Sequence, residues 1–368
     1  MFSFLPCYGL ALVEVLLRTL CRSALLNVCR FSFKSVPPVC YLHLIRVCVL
    51  SIHHPRLQML SCFRLAPWRT LPRVQPSTRL FHQSTRAREP LELAYECFEP
   101  PASHKAVAKH TKGLVICHGL YGSKQNWRSL AKSMTKSFGV PVYTLDLRNH
   151  GMSPHAESMS YLDMASDVRK FFDDKNLSDM TLIGHSMGGK VVMAMALDPN
   201  LPDHMLSHLI SVDMSPAEGP ISPEFMEYAR CMAEINKMNV KSRSEADKVL
   251  QKIEPTLSVR QFLLTNLERD GDAMHFRIPV DILIRSLSEI GYFPYAPPKD
   301  DSSPPERQWE GRTLFVKGEK SKYINRRNLP LCKAYFPHME LTTMPTGHWC
   351  HAEKPNEFMR DVHNFLVK

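Results

Sequence analysis

The stretch Thr181-Leu182-Ile183-Gly184-His185-Ser186-Met187-Gly188-Gly189 constrains this chain more than any other, because an apolar run ends in a serine with glycine two residues away on either side. That pattern marks a serine at a sharp strand-to-helix turn, a nucleophile elbow. Such a turn holds its central residue at strained backbone angles and packs so tightly that side chains at 184 and 188 would collide with their neighbours, which glycine avoids. The Ser186 hydroxyl would then stand clear of the sheet, with the Met187 amide at a helix N-terminus to hold a developing oxyanion.

The rest of the chain supplies a setting for such a turn. Apolar runs at 114–117, 140–145, 180–183, 209–212, 313–316 and 341–344 alternate with helical patterns at 125–138, 161–174, 187–197 and 355–367. This alternation predicts an α/β fold with a mainly parallel central sheet flanked by helices. It breaks once, between Pro216 and Arg312, where a polar, Met-rich and helix-rich stretch ends in Pro294-Tyr295-Ala296-Pro297-Pro298. An insertion of that size between core strands reads as a helical cap over the site, spanning about 216–312.

A serine nucleophile needs a base on a late loop returning to the same edge of the sheet. His348 meets this in Pro345-Thr346-Gly347-His348-Trp349, just after the last predicted strand. It would take the Ser186 proton and pass it to the leaving group. For the acid that orients the imidazole, Asp213 closes the run Leu209-Ile210-Ser211-Val212-Asp213, and Asp281 in Arg277-Ile278-Pro279-Val280-Asp281 is the rival, otherwise an ordinary helix-start aspartate. Asp213 is favoured for its place at a strand end. The second oxyanion donor is expected at the Leu120 amide, in the glycine-bearing loop Cys117-His118-Gly119-Leu120-Tyr121-Gly122-Ser123. The polar turn from Asp146 to Ser153 reads as a brace for these loops.

Two other patterns are set aside. Gly184 to Lys190 satisfies the opening of a phosphate-binding loop, but Val191 stands where a Ser or Thr must hold magnesium. His348, Cys350 and His351 crowd too closely for one tetrahedral metal centre and have no companion pair elsewhere. Neither a metal nor another cofactor is implied.

Charge divides the chain. Residues 1–88 carry twelve lysines and arginines against one acid, Glu14, while the whole chain has a net charge of +10. The basic character therefore belongs to the arm, and it gives no ground for a nucleic-acid-binding face on residues 89–368. An arm rich in Arg, Ser and Leu and poor in acids has the composition of a mitochondrial transit peptide, and Met59 to Arg88 alone would make a complete one. Arg79-Leu80-Phe81-His82-Gln83-Ser84 fits a two-step processing signal that would leave Glu89 as the mature N-terminus. A basic tail without an address, or a secretory signal, is the alternative. No uninterrupted apolar run in the arm reaches the length of a membrane span. Of eleven cysteines, six lie in the arm and five are scattered beyond it at 97, 117, 231, 332 and 350, a spacing that suits reduced thiols better than a disulfide framework.

Taken together, His118-Gly119, Gly184-His185-Ser186-Met187-Gly188-Gly189 and Gly347-His348 make residues 91–368 resemble the α/β-hydrolase fold enzymes. The pieces His118 to Lys124, Asp146 to Gly151, Val212-Asp213-Met214-Ser215-Pro216 and Arg260 to Leu267 are most similar to the mitochondrial group represented by α/β-hydrolase domain-containing protein 11 and the fungal ethanol acetyltransferases. Most relatives of the fold carry the acid after the strand matching 313–316. Here Gly318-Glu319-Lys320-Ser321 puts Ser321 at that place, so the resemblance implies Asp213 as the acid with Ser321 in support, although the position of Asp281 has also been given the role. It further implies ester or thioester chemistry on a small acyl substrate through a seryl acyl-enzyme, ending in hydrolysis with water or acyl transfer from acetyl-CoA with ethanol. A non-catalytic role beside a mitochondrial matrix protein partner is the remaining reading.

Overall fold

The computed structural model describes residues 89–103, 105–299 and 303–368. The basic arm, with its expected processing sites, lies outside them. In chain order the strands are β1 (Tyr95–Phe98), β2 (Gly113–Cys117), β3 (Val142–Leu145), β4 (Met180–His185), β5 (Leu206–Val212), the short pair β6 (Leu267–Asp270) and β7 (Ala273–Phe276), then β8 (Arg312–Gly318) and β9 (Met339–Met344). Seven of them form one sheet in the order β1-β3-β2-β4-β5-β8-β9, while β6 and β7 make a hairpin of their own. From β3 to β9 every neighbouring pair in the sheet is parallel.

Parallel strands covered on both faces must be apolar throughout, and β2 and β4 are buried at every residue. Their side chains alternate between two cores. Ile116, Ile183, Ile210 and Leu314 face one, while Val115, Leu182, Leu209 and Phe315 face the other. The first core is closed by helices α1 (Lys124–Phe138) and, at the end of the chain, α10 (Pro355–Leu366), through Trp127, Phe138, Phe358 and Phe365. Burying each such ring contributes about 1.5–3 kcal/mol. The second core is closed by α2 (Tyr161–Asp174) and α3 (Met187–Ala196), and α3 is buried at all ten of its residues. The edge strand β1 runs antiparallel to β3, pairing Tyr95 with Leu145. Its four residues are exposed or half-buried, so it has no apolar run by which to be recognised.

Between β5 and β8 the chain leaves the sheet through α4 (Glu224–Met238), α5 (Arg243–Leu250), α6 (Leu257–Leu263), the β6–β7 hairpin and α7 (Val280–Ile290). The return is fastened from α3 and α2. Buried Lys190 donates to the carbonyls of Gly291 and Tyr292 at 3.0 and 2.8 Å, and the Tyr161 hydroxyl donates to Ile290 O at 2.8 Å. Burial pushes the Lys190 amine down to about 8, against the opposing pull of the Glu218 carboxylate. Helices α8 (Leu329–Tyr335) and α9 (Cys350–Glu353) complete the set. Among the described residues no helix is long and apolar enough to cross a membrane, and the five cysteines are unpaired.

Candidate active site

Ser186 follows the last residue of β4 and precedes the first of α3, with φ 54° and ψ −119°. A residue so placed is strained, and the surroundings must hold it there. Its amide donates to Val212 O at 3.1 Å. The flanking glycines permit contacts that no side chain would: a Cβ on Gly184 would lie 2.2 Å from Gly188 O, and one on Gly188 would lie 2.4 Å from Cys117 O.

The Ser186 hydroxyl is 2.9 Å from His348 Nε2, and His348 Nδ1 is 2.8 Å from Asp213 Oδ2. Asp213 is fully buried and turns out of β5 at φ 50°, its amide donating to Val316 O at 2.7 Å. Its second oxygen accepts from the Gly318 amide at 2.9 Å. Gly318 must lack a side chain, because a Cβ there would stand 1.9 Å from Gly347 O, just before His348. The imidazole is steadied from behind as well: the His185 ring donates from Nε2 to His348 O at 2.9 Å, and the Tyr323 ring lies 4.3 Å from it, centroid to centroid.

Asp281 is elsewhere. It sits in the first turn of α7 and opens on a separate cleft with Asn236, Lys237 and Arg277. Ser321 lies in the turn after β8, yet its hydroxyl accepts from the Tyr323 amide at 3.3 Å and no bond joins it to Asp213 or His348 among the described residues. The support expected from Ser321 comes instead from the backbone of the same turn, through Gly318.

The Leu120 and Met187 amides donate to no other group among the described residues, although Leu120 is buried and Met187 starts α3. Buried N–H groups are seldom left unpaired, so two at one serine are available to a ligand oxygen. The loop bearing Leu120 is held by Tyr121, a buried non-glycine residue at φ 61°. Its amide donates to His150 Nε2 at 3.1 Å, its carbonyl accepts from Asn266 Nδ2 at 2.7 Å and its hydroxyl donates to Phe225 O at 2.8 Å. Beside it, His118 Nε2 accepts from the Leu147 amide at 3.0 Å and Nδ1 donates to Gly119 O at 2.8 Å. An amide can only donate, so in both His118 and His150 the proton is on Nδ1. Burial holds both rings neutral, His150 down to about 3.

The Asp146 to Ser153 turn does brace these loops. The Asp146 carboxylate accepts from the Lys124 and Met152 amides at 2.7 and 2.8 Å, and Arg148 grips Asp167 with two bonds at 2.6 and 2.7 Å. The parts that the sequence did not announce are His150, Tyr121 and Asn266. Asn266 lies within the distinctive string from Arg260 to Leu267, but nothing local to it points to Tyr121.

A cavity of about 430 Å³ opens at Ser186, walled by apolar groups that include Leu120, Phe225, Val259, Phe262 and Trp349. A fixed serine, an imidazole within proton-transfer distance, a buried carboxylate behind it and two unpaired amides suit acyl transfer through a covalent intermediate.

The chain belongs to the alpha/beta hydrolase fold family, whose pattern matches residues 113–355. It is 36% identical over 289 residues to the sn-1-specific diacylglycerol lipase ABHD11 of Danio rerio, covering 77% of this chain and 85% of that one. Ethanol acetyltransferase 1 of Wickerhamomyces anomalus is 31% identical over 278 residues, 69% of this chain and 68% of its own. Among solved structures, a marine microorganism esterase superposes with a TM-score of 0.65 at 32% identity, covering 75% of this chain and all of that one.

Proposed function

We propose that the protein is a serine hydrolase that cleaves carboxylic ester or thioester bonds through a seryl acyl-enzyme. The observation that carries this reading is the unbroken chain from Ser186 Oγ through His348 to the buried Asp213 carboxylate. Ser186 attacks the acyl carbonyl while His348 Nε2 takes its proton, and Asp213 holds the ring with Nδ1–H toward itself and stabilises the imidazolium. The Leu120 and Met187 amides receive the oxyanion. His348 then protonates the leaving alcohol or thiol, and the same steps with water release the acid. The similarity to a lipase and an esterase supports this chemistry. The test is turnover of p-nitrophenyl acetate by folded wild type and Ser186→Ala: loss in the variant is expected, and unchanged turnover would refute the assignment.

A second reading has one observation in its favour, the similarity to an ethanol acetyltransferase. An alcohol that reaches the acyl-enzyme before water makes a new ester with the same residues. Ester formation from acetyl-CoA in ethanol-containing buffer would support it, and acetate as the sole product would count against it.

We place the protein in the mitochondrial matrix on the composition of its basic arm alone. Import of the full chain into isolated mitochondria with cleavage before Glu89 is the expected result, and a protein left outside and uncut would contradict it. A matrix protein partner is proposed only beside catalysis.

A further inference from the structure

The cavity at Ser186 has two unlike sides. Phe225, Val259 and Phe262, with the single hydroxyl of Ser258, enter it from the insertion between β5 and β8, whereas Asn126, Trp127, His351, Ala352 and Glu353 enter from α1 and α9. Asn126, His351 and Ala352 also line an adjoining groove of about 350 Å³ with Ser129, Ser133 and Asn356, so they stand where two hollows meet.

His351 is 8% exposed, and neither ring nitrogen has a hydrogen-bond partner among the described residues; Nδ1 is sealed off, which leaves Nε2 as the nitrogen a ligand can reach. Its orientation is set without hydrogen bonds. The ring is stacked on Trp127 with centroids 4.0 Å apart and planes 6° from parallel, and the His185 ring meets it at 4.6 Å and 61°. A sealed N–H costs more than a sealed lone pair, so the proton belongs on Nε2, facing outward. Burial and the neighbouring His348 hold the ring neutral, down at about 3. Asn126 offers a second donor. Its Oδ1 accepts from the Ser123 amide at 2.6 Å, which fixes the side-chain amide, and its Nδ2 donates to nothing among the described residues. The Glu353 carboxylate in the same lining already accepts from the Gly347 and Trp349 amides, so two unused donors beside a mostly hydrocarbon wall call for an oxygen from a ligand.

We propose that His351 Nε2 and Asn126 Nδ2 form a donor subsite that holds an acceptor oxygen in the alcohol part of the substrate, while the acyl chain lies against Phe225, Val259 and Phe262. The enzyme would thereby select esters that carry an ether, carbonyl or hydroxyl oxygen a few bonds beyond the scissile one. This rests on the esterase reading above. It uses atoms that the Ser186, His348 and Asp213 chemistry leaves idle.

The test compares kcat/KM for three butanoate esters of equal length: pentyl, 2-ethoxyethyl and 3-methoxypropyl, in which an ether oxygen replaces one methylene at two positions. Wild type should favour one of the ethers over pentyl by about tenfold, the size of one uncharged hydrogen bond. His351→Phe keeps a ring for Trp127 but no nitrogen, and Asn126→Asp keeps the oxygen for Ser123 but loses the donor; each should reduce that ratio. No preference in wild type, a ratio that survives in both variants, or equal loss on all three esters would overturn the subsite. If His351→Phe does not fold, the ratio in wild type and Asn126→Asp decides. Failure of wild type to hydrolyse any ester would instead overturn the esterase reading and the subsite with it.

Discussion

Asn266 donates its side-chain amide to the Tyr121 carbonyl at 2.7 Å, across 145 positions of sequence, so the insertion between β5 and β8 holds the loop that bears the Leu120 amide. Tyr121 is kept at φ 61° by this bond together with those to His150 and Phe225. Removing the donor leaves a buried carbonyl unpaired and frees a strained peptide beside the oxyanion position.

Asn266→Ala is therefore expected to lower kcat for p-nitrophenyl acetate about tenfold while KM moves less than threefold, because the loop acts on the transition state. An unchanged kcat, or a loss confined to KM, would contradict the link between insertion and oxyanion loop.

The two candidate acids are separable by experiment. Asp213→Asn keeps an acceptor for the Gly318 amide but removes the charge facing His348, and should cost roughly 10³–10⁴ in kcat. Asp281→Asn, in a different cleft, should change kcat less than twofold. The reverse order would reassign the acid.

Acid should weaken the fold well above the carboxylate range. Burial lowers His118, His150, His185, His208 and His351 below their ordinary 6.5, so these rings are neutral in the folded protein but protonate on unfolding. The unfolded chain then binds more protons below pH 6.5, and stability present above that value is lost as pH falls toward 3–4. Each ring fully neutral in the fold costs about 1.4 kcal/mol per pH unit in this window. Urea unfolding midpoints should drop steeply from pH 7 to pH 5, and a flat profile would contradict the buried neutral rings.

Glycine at 188 is required by backbone rather than by side chains. A Cβ would lie 2.4 and 2.5 Å from the carbonyl oxygens of Cys117 and His118, so Gly188→Ala should destabilise by about 3 kcal/mol. Gly219→Ala, with nothing within 4 Å of the new carbon, should stay within about 0.5 kcal/mol of wild type. Thermal unfolding of the two variants checks the contrast, and equal effects would contradict it.

What could be read before the structure followed from local physics. The strands of the parallel sheet are apolar because both faces are covered, and the elbow shows itself because Gly184 and Gly188 have no room for side chains. What could not be read depends on distant contacts. The β1 strand is short and half-exposed, and the β6–β7 hairpin interrupts helices without an alternating pattern of its own. Residue types left Asp213 and Asp281 both open, since either begins or ends an element; the 2.8 Å approach to His348 is a property of the fold. Ser321 occupies the turn where an acid was sought, while the bond to Asp213 is made by the Gly318 amide, and a backbone donor has no signature in side-chain identities.

The central claim is that Ser186 is a nucleophile activated by His348. Incubation with a fluorophosphonate followed by intact mass and peptide mapping tests it most directly. A single adduct on Ser186 in wild type and none in Ser186→Ala is the expected result. An unlabelled wild type, or equal labelling of the variant, would contradict it.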